Sequence, residues 1–324
     1  MSRTRPERIC ALLPSATEIL FALGCGERVV GVTHECDFPK EAKEKPRLIR
    51  PRVDPAAAPG EIDRQVRALV DAGQSIYGVD AELLESLQPD LILTQDLCHV
   101  CAASPEDLGA ALTRMARPPK VLTLTPHTLE DVFGDIERVG ESVGERERAV
   151  ELSAGLRKRV EAIARRAAES GAAPVRVLCL EWLEPFYVAG HWVPEMVAKA
   201  GGVDVFAREA QQSFRVTSEE IARCPADVMI VMPCGYDAER ATREFSEIRL
   251  AERWPEMPAV RNGRVFAIDA NSYTSRPGPR LVDGMEMMLA MLHPELSATR
   301  FGAKDFRPIA NVKTAAHVGS ARSD

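Results

Sequence analysis

Apolar side chains recur at intervals of three and four along the stretch from Gly144 to Gly171. That interval is the period of one face of an α-helix. Most remaining positions are Glu, Arg or Lys, which predicts a solvated opposite face. At 1.5 Å per residue the helix would be roughly 39 Å long. We predict a rigid helix that joins two lobes; the alternative is one long helix inside a single domain. The apolar positions are Ala149, Leu152, Leu156, Val160, Ile163 and Ala167.

Short apolar segments alternate with amphipathic ones on both sides of this helix, which is typical of α/β folds. Two stretches, 81–95 and 218–234, share the same order of acidic helix start, turn, apolar strand and polar loop. The sequence therefore predicts an α/β fold of two lobes with mainly parallel sheets, one long connecting helix and a ligand cleft between the lobes. The predicted boundaries are an N-terminal lobe over 1–143, the connecting helix over 144–171, a C-terminal lobe over 172–294 and a loose C-terminal tail over 295–324.

Local signals add detail to the first lobe. The apolar segment 8–13 predicts a buried strand, and a helix follows it. Ser15 and Glu18 have the Ser-x-x-Glu spacing of a capping box, which predicts that they pair with backbone amides at the start of that helix. Residues 40–60 are rich in Pro, Lys and Arg and predict a loop.

The segments that follow the predicted strands hold most of the Cys, His and Trp residues. Ligands of parallel α/β sheets bind beyond the carboxyl ends of the strands. If two lobes face each other, these segments meet in one cleft. They are the segments 34–39, 95–102, 181–192, 233–237 and 269–278.

Composition and charge narrow the choice of partners and compartment. The 324 residues carry a net charge of −7 without a basic block, which argues against nucleic acid as a partner. No apolar run reaches the roughly 18 residues of a membrane span. The N-terminus lacks the apolar core of a signal peptide, so we predict a cytoplasmic protein whose eight Cys are thiols or ligands. A misassigned start codon would instead make the protein periplasmic.

Thiol and imidazole groups concentrate in the same segments. Cys98, His99 and Cys101 form a Cys-His-x-Cys sequence, and such donors are ligands that zinc or iron accept. A closed metal site needs further ligands. The candidates on neighbouring segments are His34, Cys36, His191 and Cys234. The alternatives are a loop of free thiols packed on its neighbours and a thioredoxin-like redox pair.

Aromatic side chains cluster in the segment 181–192. Their flat surfaces suit a planar macrocycle; the alternative is a plug of core residues under the second lobe. These aromatics are Trp182, Phe186, Tyr187 and Trp192. Further along, Tyr273 and Arg276 lie in a Pro-rich segment, where an arginine could bind a carboxylate, amide or phosphate of a ligand. The alternative there is a loop of solvated charges.

Two segments, PSATEILFALG (14–24) and VVGVTHECDFP (29–39), resemble the helical-backbone class of substrate-binding proteins of ABC importers, most closely its cobalamin-binding type. The resemblance covers about residues 8–293. It implies two α/β lobes joined by one long helix, with a corrinoid held between them partly by aromatics. Gln95 stands where the class implies an aromatic, Glu35 in the turn after VGVT offers a polar group instead, and Phe214 is a remaining cleft aromatic.

The same resemblance implies a carboxylate at the tip of each lobe for docking to arginines of an ABC permease, if the protein is exported. The matching residues are Glu82 and Glu219, one in each of the two similar stretches. The alternative is that each acid complements the dipole of its own helix.

Motifs of common enzymes are missing: the chain has no G-x-S-x-G, Walker A, H-E-x-x-H or G-x-G-x-x-G sequence. We therefore predict a non-catalytic protein that binds a corrinoid, such as cobalamin, for storage, delivery or transport. The alternatives are binding of a metal ion, haem or iron chelate through cleft Cys and His, and a thiol-dependent redox protein or enzyme.

Overall fold

The computed structural model describes residues 5–96, 105–248, 254–296 and 300–310. Within this part of the chain, strands and helices form two α/β lobes with mostly parallel sheets, joined by a long helix. The predicted fold class is therefore confirmed.

The described part of the first lobe carries six strands and five α-helices. They are β1 (Ile9–Ala11), α1 (Pro14–Ala22), β2 (Val29–Thr33), β3 (Arg47–Pro51), α2 (Pro59–Asp71), β4 (Tyr77–Val79), α3 (Ala81–Leu87), β5 (Leu91–Gln95), α4 (Pro105–Leu112), β6 (Lys120–Leu124) and α5 (Leu129–Val143). The strands form one sheet in the order β4-β3-β2-β1-β5-β6. All neighbours are parallel except β3 and β4.

A helix of 24 residues, α6 (Arg146–Glu169), leads to the second lobe. The elements that follow are β7 (Val175–Leu183), β8 (Phe186–Val188), α7 (Val193–Lys199), β9 (Gly202–Asp204), β10 (Phe214–Arg215), α8 (Ser218–Arg223), β11 (Val228–Val231), α9 (Ala238–Glu247), α10 (Pro258–Arg261), β12 (Val265–Ile268), α11 (Ala270–Tyr273), α12 (Leu281–Leu292) and β13 (Phe306–Pro308). The second sheet has the order β10-β8-β7-β11-β12-β13, with β9 beside β7. Its centre is parallel and its flanking pairs are antiparallel.

The buried face of α6 connects the cores of the two lobes. It packs against α5 of the first lobe and against α7 and α12 of the second. Five of the six predicted apolar positions are buried, and Leu152 is partly buried. The Ser153 hydroxyl, also buried, donates to the Phe133 carbonyl of α5 at 3.2 Å. Further along, Arg159 pairs with Asp283 of α12 at 2.6 Å. One apolar core therefore runs through both lobes along this helix.

Two segments differ from their prediction as irregular structure. Part of 40–60 forms β3, because Leu48 and Ile49 are buried against the sheet despite the polar residues around them. Within the predicted loose tail, β13 pairs antiparallel with β12. The aromatic ring of Phe306 packs on Phe266 at 6.3 Å, and Ile309 is buried. These few apolar residues are enough to dock residues 300–310.

The predicted capping box of α1 is wrong. The helix begins at Pro14, whose ring has no N–H to cap, and its N-cap residue is Leu13, which provides no side-chain cap. Ser15 and Glu18 are both buried instead, with 1% and 5% of their surfaces exposed. The Glu18 carboxylate forms an ion pair with Arg280 of the second lobe.

Candidate functional site

A cavity of about 350 Å³ lies between the two lobes, at the small end of the range for ligand pockets. We call it the cleft. Its lining comes largely from segments that follow strands, as the sequence predicts for a parallel sheet. The first lobe contributes Leu13, Pro14, Ser15, His34, Glu35, Pro51, Val53, Pro55, Ile62, Asp63, Val66, Ile76, Tyr77 and Gln95. The second contributes Glu181, Trp182, Tyr187, Ser213, Cys234, Gly235, Tyr236, Arg240, Asn271, Ser275, Arg276 and Pro277.

The aromatic part of the cleft is built on a β-hairpin. The aromatic segment 181–192 contains the end of β7 and the whole of β8, with Trp182 opposite Tyr187 and Leu183 opposite Phe186. Because successive side chains of a strand point to opposite faces, Tyr187 lines the cleft and Phe186 does not. The Trp182 ring packs on Tyr236 at 5.6 Å.

Tyr77 and Tyr236 line the cleft but are missing from the sequence prediction. Tyr236 follows β11 in one of the predicted strand-end segments, so its position alone could have identified it. Tyr77 is the first residue of β4. The sequence analysis does not predict this strand, because polar residues surround it.

Four predicted ligand-binding aromatics lie away from the cleft, so their expected placement there is wrong. Phe186 packs on Trp254 at 5.6 Å in the core. Trp192 is 4% exposed and donates its indole N–H to the Thr274 carbonyl at 2.9 Å. Arg208 covers Phe214, 3.5 Å from the ring centroid. The Tyr273 hydroxyl donates to Asp305 at 2.8 Å.

Arg276 lines the cleft but is already engaged by the first lobe. Its Nη1 donates to Asp37 Oδ1 at 2.5 Å, and its Nη2 donates to the Glu35 carbonyl at 2.9 Å. Beside it, Arg280 donates from Nε and Nη2 to the two oxygens of Glu18, at 2.8 and 2.5 Å. Both arginines come from the second lobe, so these ion pairs hold the base of the cleft closed.

Arg240 joins the lobes at the other side of the cleft. Its two terminal nitrogens donate to the carbonyls of Pro55 and Ala57 at 2.5 and 2.9 Å. Its guanidinium lies 3.9 Å from the centroid of the Tyr236 ring. The loop before α2 is thus tied to α9 of the second lobe.

The imidazole of His34 faces the cleft in a defined tautomer. Its Nδ1 lies 3.2 Å from the Ile49 carbonyl, and because a carbonyl only accepts, Nδ1 carries the proton. Burial lowers the pKa of His34, so the ring is neutral at pH 7 and Nε2 holds a free lone pair. Nε2 lies 3.9 Å from a Glu35 oxygen.

The predicted metal ligands do not assemble within the described residues. Cys98, His99 and Cys101 lie outside them. Cys36 is buried, with its sulfur 3.1 Å from the Thr17 hydroxyl. His191 stacks on Trp192 at 5.5 Å, next to His127, and does not line the cleft. No group of three His, Cys, Asp or Glu residues suited to a metal ion occurs in the described ranges.

The buried thiols of the described residues are poor nucleophiles. Six free cysteines occur there, five of them buried. Burial raises the pKa of Cys10 to about 12 and raises the pKa of Cys25, Cys36 and Cys224 as well. Only Cys234, which lines the cleft, is partly exposed among these six. A thiol-dependent reaction finds no activated thiolate among the buried five.

Glu82 and Glu219 occupy matching positions in the two lobes. Both are exposed and lie in the first turn of a short helix, α3 and α8. Asp80 and Thr217 cap these helices by accepting from backbone amides. No helix in the described ranges is long and apolar enough to span a membrane.

Comparison with known proteins agrees with this architecture. Residues 9–272 match the family model of periplasmic binding proteins. The ABC transporter substrate-binding lipoprotein YvrC of Bacillus subtilis (strain 168) is 25% identical over 301 residues, 90% of this chain and 82% of that protein. A vitamin B12-binding protein of Vibrio parahaemolyticus is 24% identical over 288 residues, 88% of this chain and 89% of that protein.

A solved structure with a similar fold is a periplasmic heme-binding protein from Pseudomonas aeruginosa. It aligns with a TM-score of 0.69 at 20% identity, and the alignment covers 92% of this chain and 100% of the other. The family match spans most of the chain, and the family's members are non-catalytic components of transport, as the missing enzyme motifs predicted. The chain belongs to the periplasmic binding protein family.

Proposed function

We propose that this protein is the substrate-binding component of an ABC importer and that its cleft binds a tetrapyrrole, with a cobalamin-like corrinoid as the favoured ligand. The observation that carries the proposal is the aromatic lining of the cleft from both lobes. Trp182, Tyr187 and Tyr236 come from the second lobe and Tyr77 from the first. Flat faces of this kind suit a planar macrocycle. The names of relatives that bind vitamin B12 and haem support the same ligand class.

A transport role also changes the expected compartment. The predicted cytoplasmic location has no support from the relatives, one of which is named a lipoprotein. The exported alternative agrees better with them. In that setting, we propose that exposed Glu82 and Glu219 dock to the permease, one from each lobe.

The absorbance spectrum of the purified protein, after incubation with cobalamin and desalting, tests the ligand class. We expect cobalamin bands retained in about equimolar amount. Trp182→Ala should weaken binding about tenfold, as expected for a lost aromatic contact of roughly 1.4 kcal/mol. Phe206→Ala, an aromatic of the same lobe that packs away from the cleft, is the control. Wild-type protein that retains neither cobalamin nor haemin would contradict the proposal.

Haem is the second candidate, and His34 is the observation that favours a metal-centred ligand. A neutral imidazole whose other nitrogen donates to a carbonyl is the usual form of a metal-bound histidine. We expect His34→Ala to change the visible spectrum of bound cobalamin or haemin if Nε2 coordinates the central metal. An unchanged spectrum would remove His34 as an axial ligand.

A further inference from the structure

The charged side chains that line the cleft differ in how far protein partners already engage them. Its carboxylates are Glu35, Asp63 and Glu181, and its cations are Arg240 and Arg276. A carboxylate on a ligand needs a cation with free donors, whereas an amide on a ligand can donate to a carboxylate. The partners of each charged group therefore determine whether the cleft accepts carboxylates or amides at the edge of a macrocyclic ligand.

Neither arginine offers a free face to a ligand carboxylate. Arg276 is 8% exposed, and its two terminal nitrogens donate to Asp37 and to the Glu35 carbonyl. The carboxylate of Glu18 lies 3.7 Å from the same guanidinium. Rotating Arg276 toward a ligand would break its ion pair with Asp37 at the contact between the lobes.

Arg240 is held in the same way. Its terminal nitrogens bind the carbonyls of Pro55 and Ala57, and its flat face covers the Tyr236 ring. Glu244 adds a carboxylate 3.7 Å from its Nε. Its two terminal nitrogens serve the contact between α9 and the loop before α2, and its Nε is buried without a hydrogen-bond partner among the described residues.

Glu35, in contrast, presents a carboxylate that no arginine or lysine of the described residues contacts directly, although the charge of Arg276 acts on it from nearby. Burial raises the pKa of the Glu35 carboxyl, and Arg276 partly offsets that rise. Among the described residues Glu35 forms no ion pair with Arg or Lys; its one ion-pair neighbour is His34, 3.9 Å away. Burial keeps His34 neutral by lowering its pKa. Asp63 differs, because Arg67 pairs with it along α2.

We infer that the cleft accepts a tetrapyrrole with a rim of neutral amides in preference to one with a rim of carboxylates, and that Glu35 determines this preference. The inference rests on the proposed tetrapyrrole function. Amide N–H groups of the ligand donate to the Glu35 carboxylate, whereas a ligand carboxylate at the same place meets a like charge, and Arg276 beside it already donates to Asp37 and to the Glu35 carbonyl.

A matched pair of corrinoids tests the preference. Cobinamide and cobyrinic acid share the corrin ring and lack the nucleotide loop, and they differ chiefly in amide against carboxylate side chains. By titration calorimetry at pH 7.5 we expect cobinamide to bind at least about tenfold more tightly, the effect of one unfavourable charge contact. Glu35→Gln should reduce that ratio to within about threefold, mainly by tightening cobyrinic acid.

Glu151→Gln, which removes an exposed carboxylate from α6, is the control and should leave the ratio unchanged. Equal binding of the two corrinoids by the wild-type protein, or tighter binding of cobyrinic acid, would overturn the inference while leaving the tetrapyrrole function intact. Wild-type protein that binds neither corrinoid nor haemin would overturn both. A ratio that stays the same in Glu35→Gln would remove Glu35 as the determinant.

Discussion

At the scale of single residues, Glu18 shows how burial redirects a polar side chain. The Ser-x-x-Glu spacing predicts a cap at a solvated helix start, but in this protein the helix start is buried at the contact between the two lobes. The Glu18 side chain is 4% exposed, and its carboxylate accepts from two nitrogens of Arg280. A buried carboxylate requires such partners, but the sequence does not reveal that Arg280, far along the chain, supplies them.

We expect Glu18→Gln to lower the free energy of unfolding by about 3 kcal/mol, because it leaves the charge of the partly buried Arg280 uncompensated. Denaturant unfolding measures the change. Glu130→Gln, which breaks the exposed ion pair of Glu130 with Arg157, is the matched control and should cost less than about 1 kcal/mol. Equal losses in the two variants would show that the buried pair has no special role.

Asp204 gives a pH-dependent prediction. Its side chain is buried, Oδ1 accepts from the Phe206 amide at 2.9 Å, and Oδ2 has no partner among the described residues. Burial raises the pKa of Asp204 from 3.8 to about 6. A carboxyl that binds its proton more tightly when folded makes the protein less stable as the pH rises from about 4 to about 6.

The full loss for such a pKa change is about 3 kcal/mol. Asp204→Asn removes this titration and keeps the acceptor for Phe206. The free energy of unfolding of the variant, relative to wild type, should therefore rise between pH 4 and pH 6 and then stay constant. Parallel pH profiles of the two proteins would contradict the prediction.

At the scale of elements, the β7–β8 hairpin determines which aromatic side chains face the cleft. Their proximity in the sequence does not predict this. The sequence places four aromatics close together and suggests a common role. The hairpin separates three of them by strand alternation, so Trp182 and Tyr187 line the cleft while Phe186 enters the core. Trp192 lies beyond the hairpin, at the start of α7. The turn of two residues, 184–185, sets the arrangement of the hairpin. The sequence does not reveal it, because aromatic residues occur both in strands and in ligand pockets.

The long helix α6 was predictable because its period extends over many turns. Gly155 lies on its exposed face, with no atom within 4 Å of an added Cβ. We expect Gly155→Ala to raise the free energy of unfolding by about 0.5–1 kcal/mol through helix propensity. Thermal and denaturant unfolding measure it, and a loss of stability would contradict it.

Gly140→Ala, in contrast to Gly155→Ala, should lower the free energy of unfolding. Gly140 of α5 lies where an added Cβ would collide with the Cβ of Ala149 on α6 and come within 3.1 Å of the Glu145 carbonyl. Because both helices are fixed by the shared core, we expect a loss of about 1–3 kcal/mol.

At the scale of the whole molecule, the lobes are joined more extensively than by one helix. A continuous core runs along α6, and Arg240, Arg276 and Arg280 connect the lobes across the cleft. The Leu129 amide at the start of α5 donates to Glu195 of α7 at 3.0 Å. We therefore expect small movements between the lobes when ligand binds, so access to the cleft depends on the loop before α2.

Hydrogen exchange tests that expectation. Arg240→Ala should speed amide exchange in residues 56–62 about tenfold, the effect of losing charge-assisted hydrogen bonds worth roughly 1.4 kcal/mol. Arg243→Ala on the same helix, whose exposed side chain contacts Glu244, should leave that segment unchanged. Equal exchange in both variants would show that Arg240 does not hold the loop.

The sequence predicted the two lobes, the connecting helix and the segments that meet in the cleft, because each rests on a periodic pattern or on a rule about strand ends. It did not predict β3, β4 or β13, whose few apolar residues sit among polar ones. Nor did it predict the ion pairs of Arg276 and Arg280, which join residues more than 200 positions apart. Long-range pairing leaves no local signal in a single sequence.

The thiol of Cys234, partly exposed in the cleft, can report whether a ligand occupies the cleft. Burial shields the other five described thiols from alkylating reagents, whereas Cys234 lines the cleft between the lobes. A bound macrocycle would cover it. Peptide-resolved alkylation of this single position, followed by mass spectrometry, therefore measures ligand protection in a crude extract, without a chromophore and without knowing which molecule is bound.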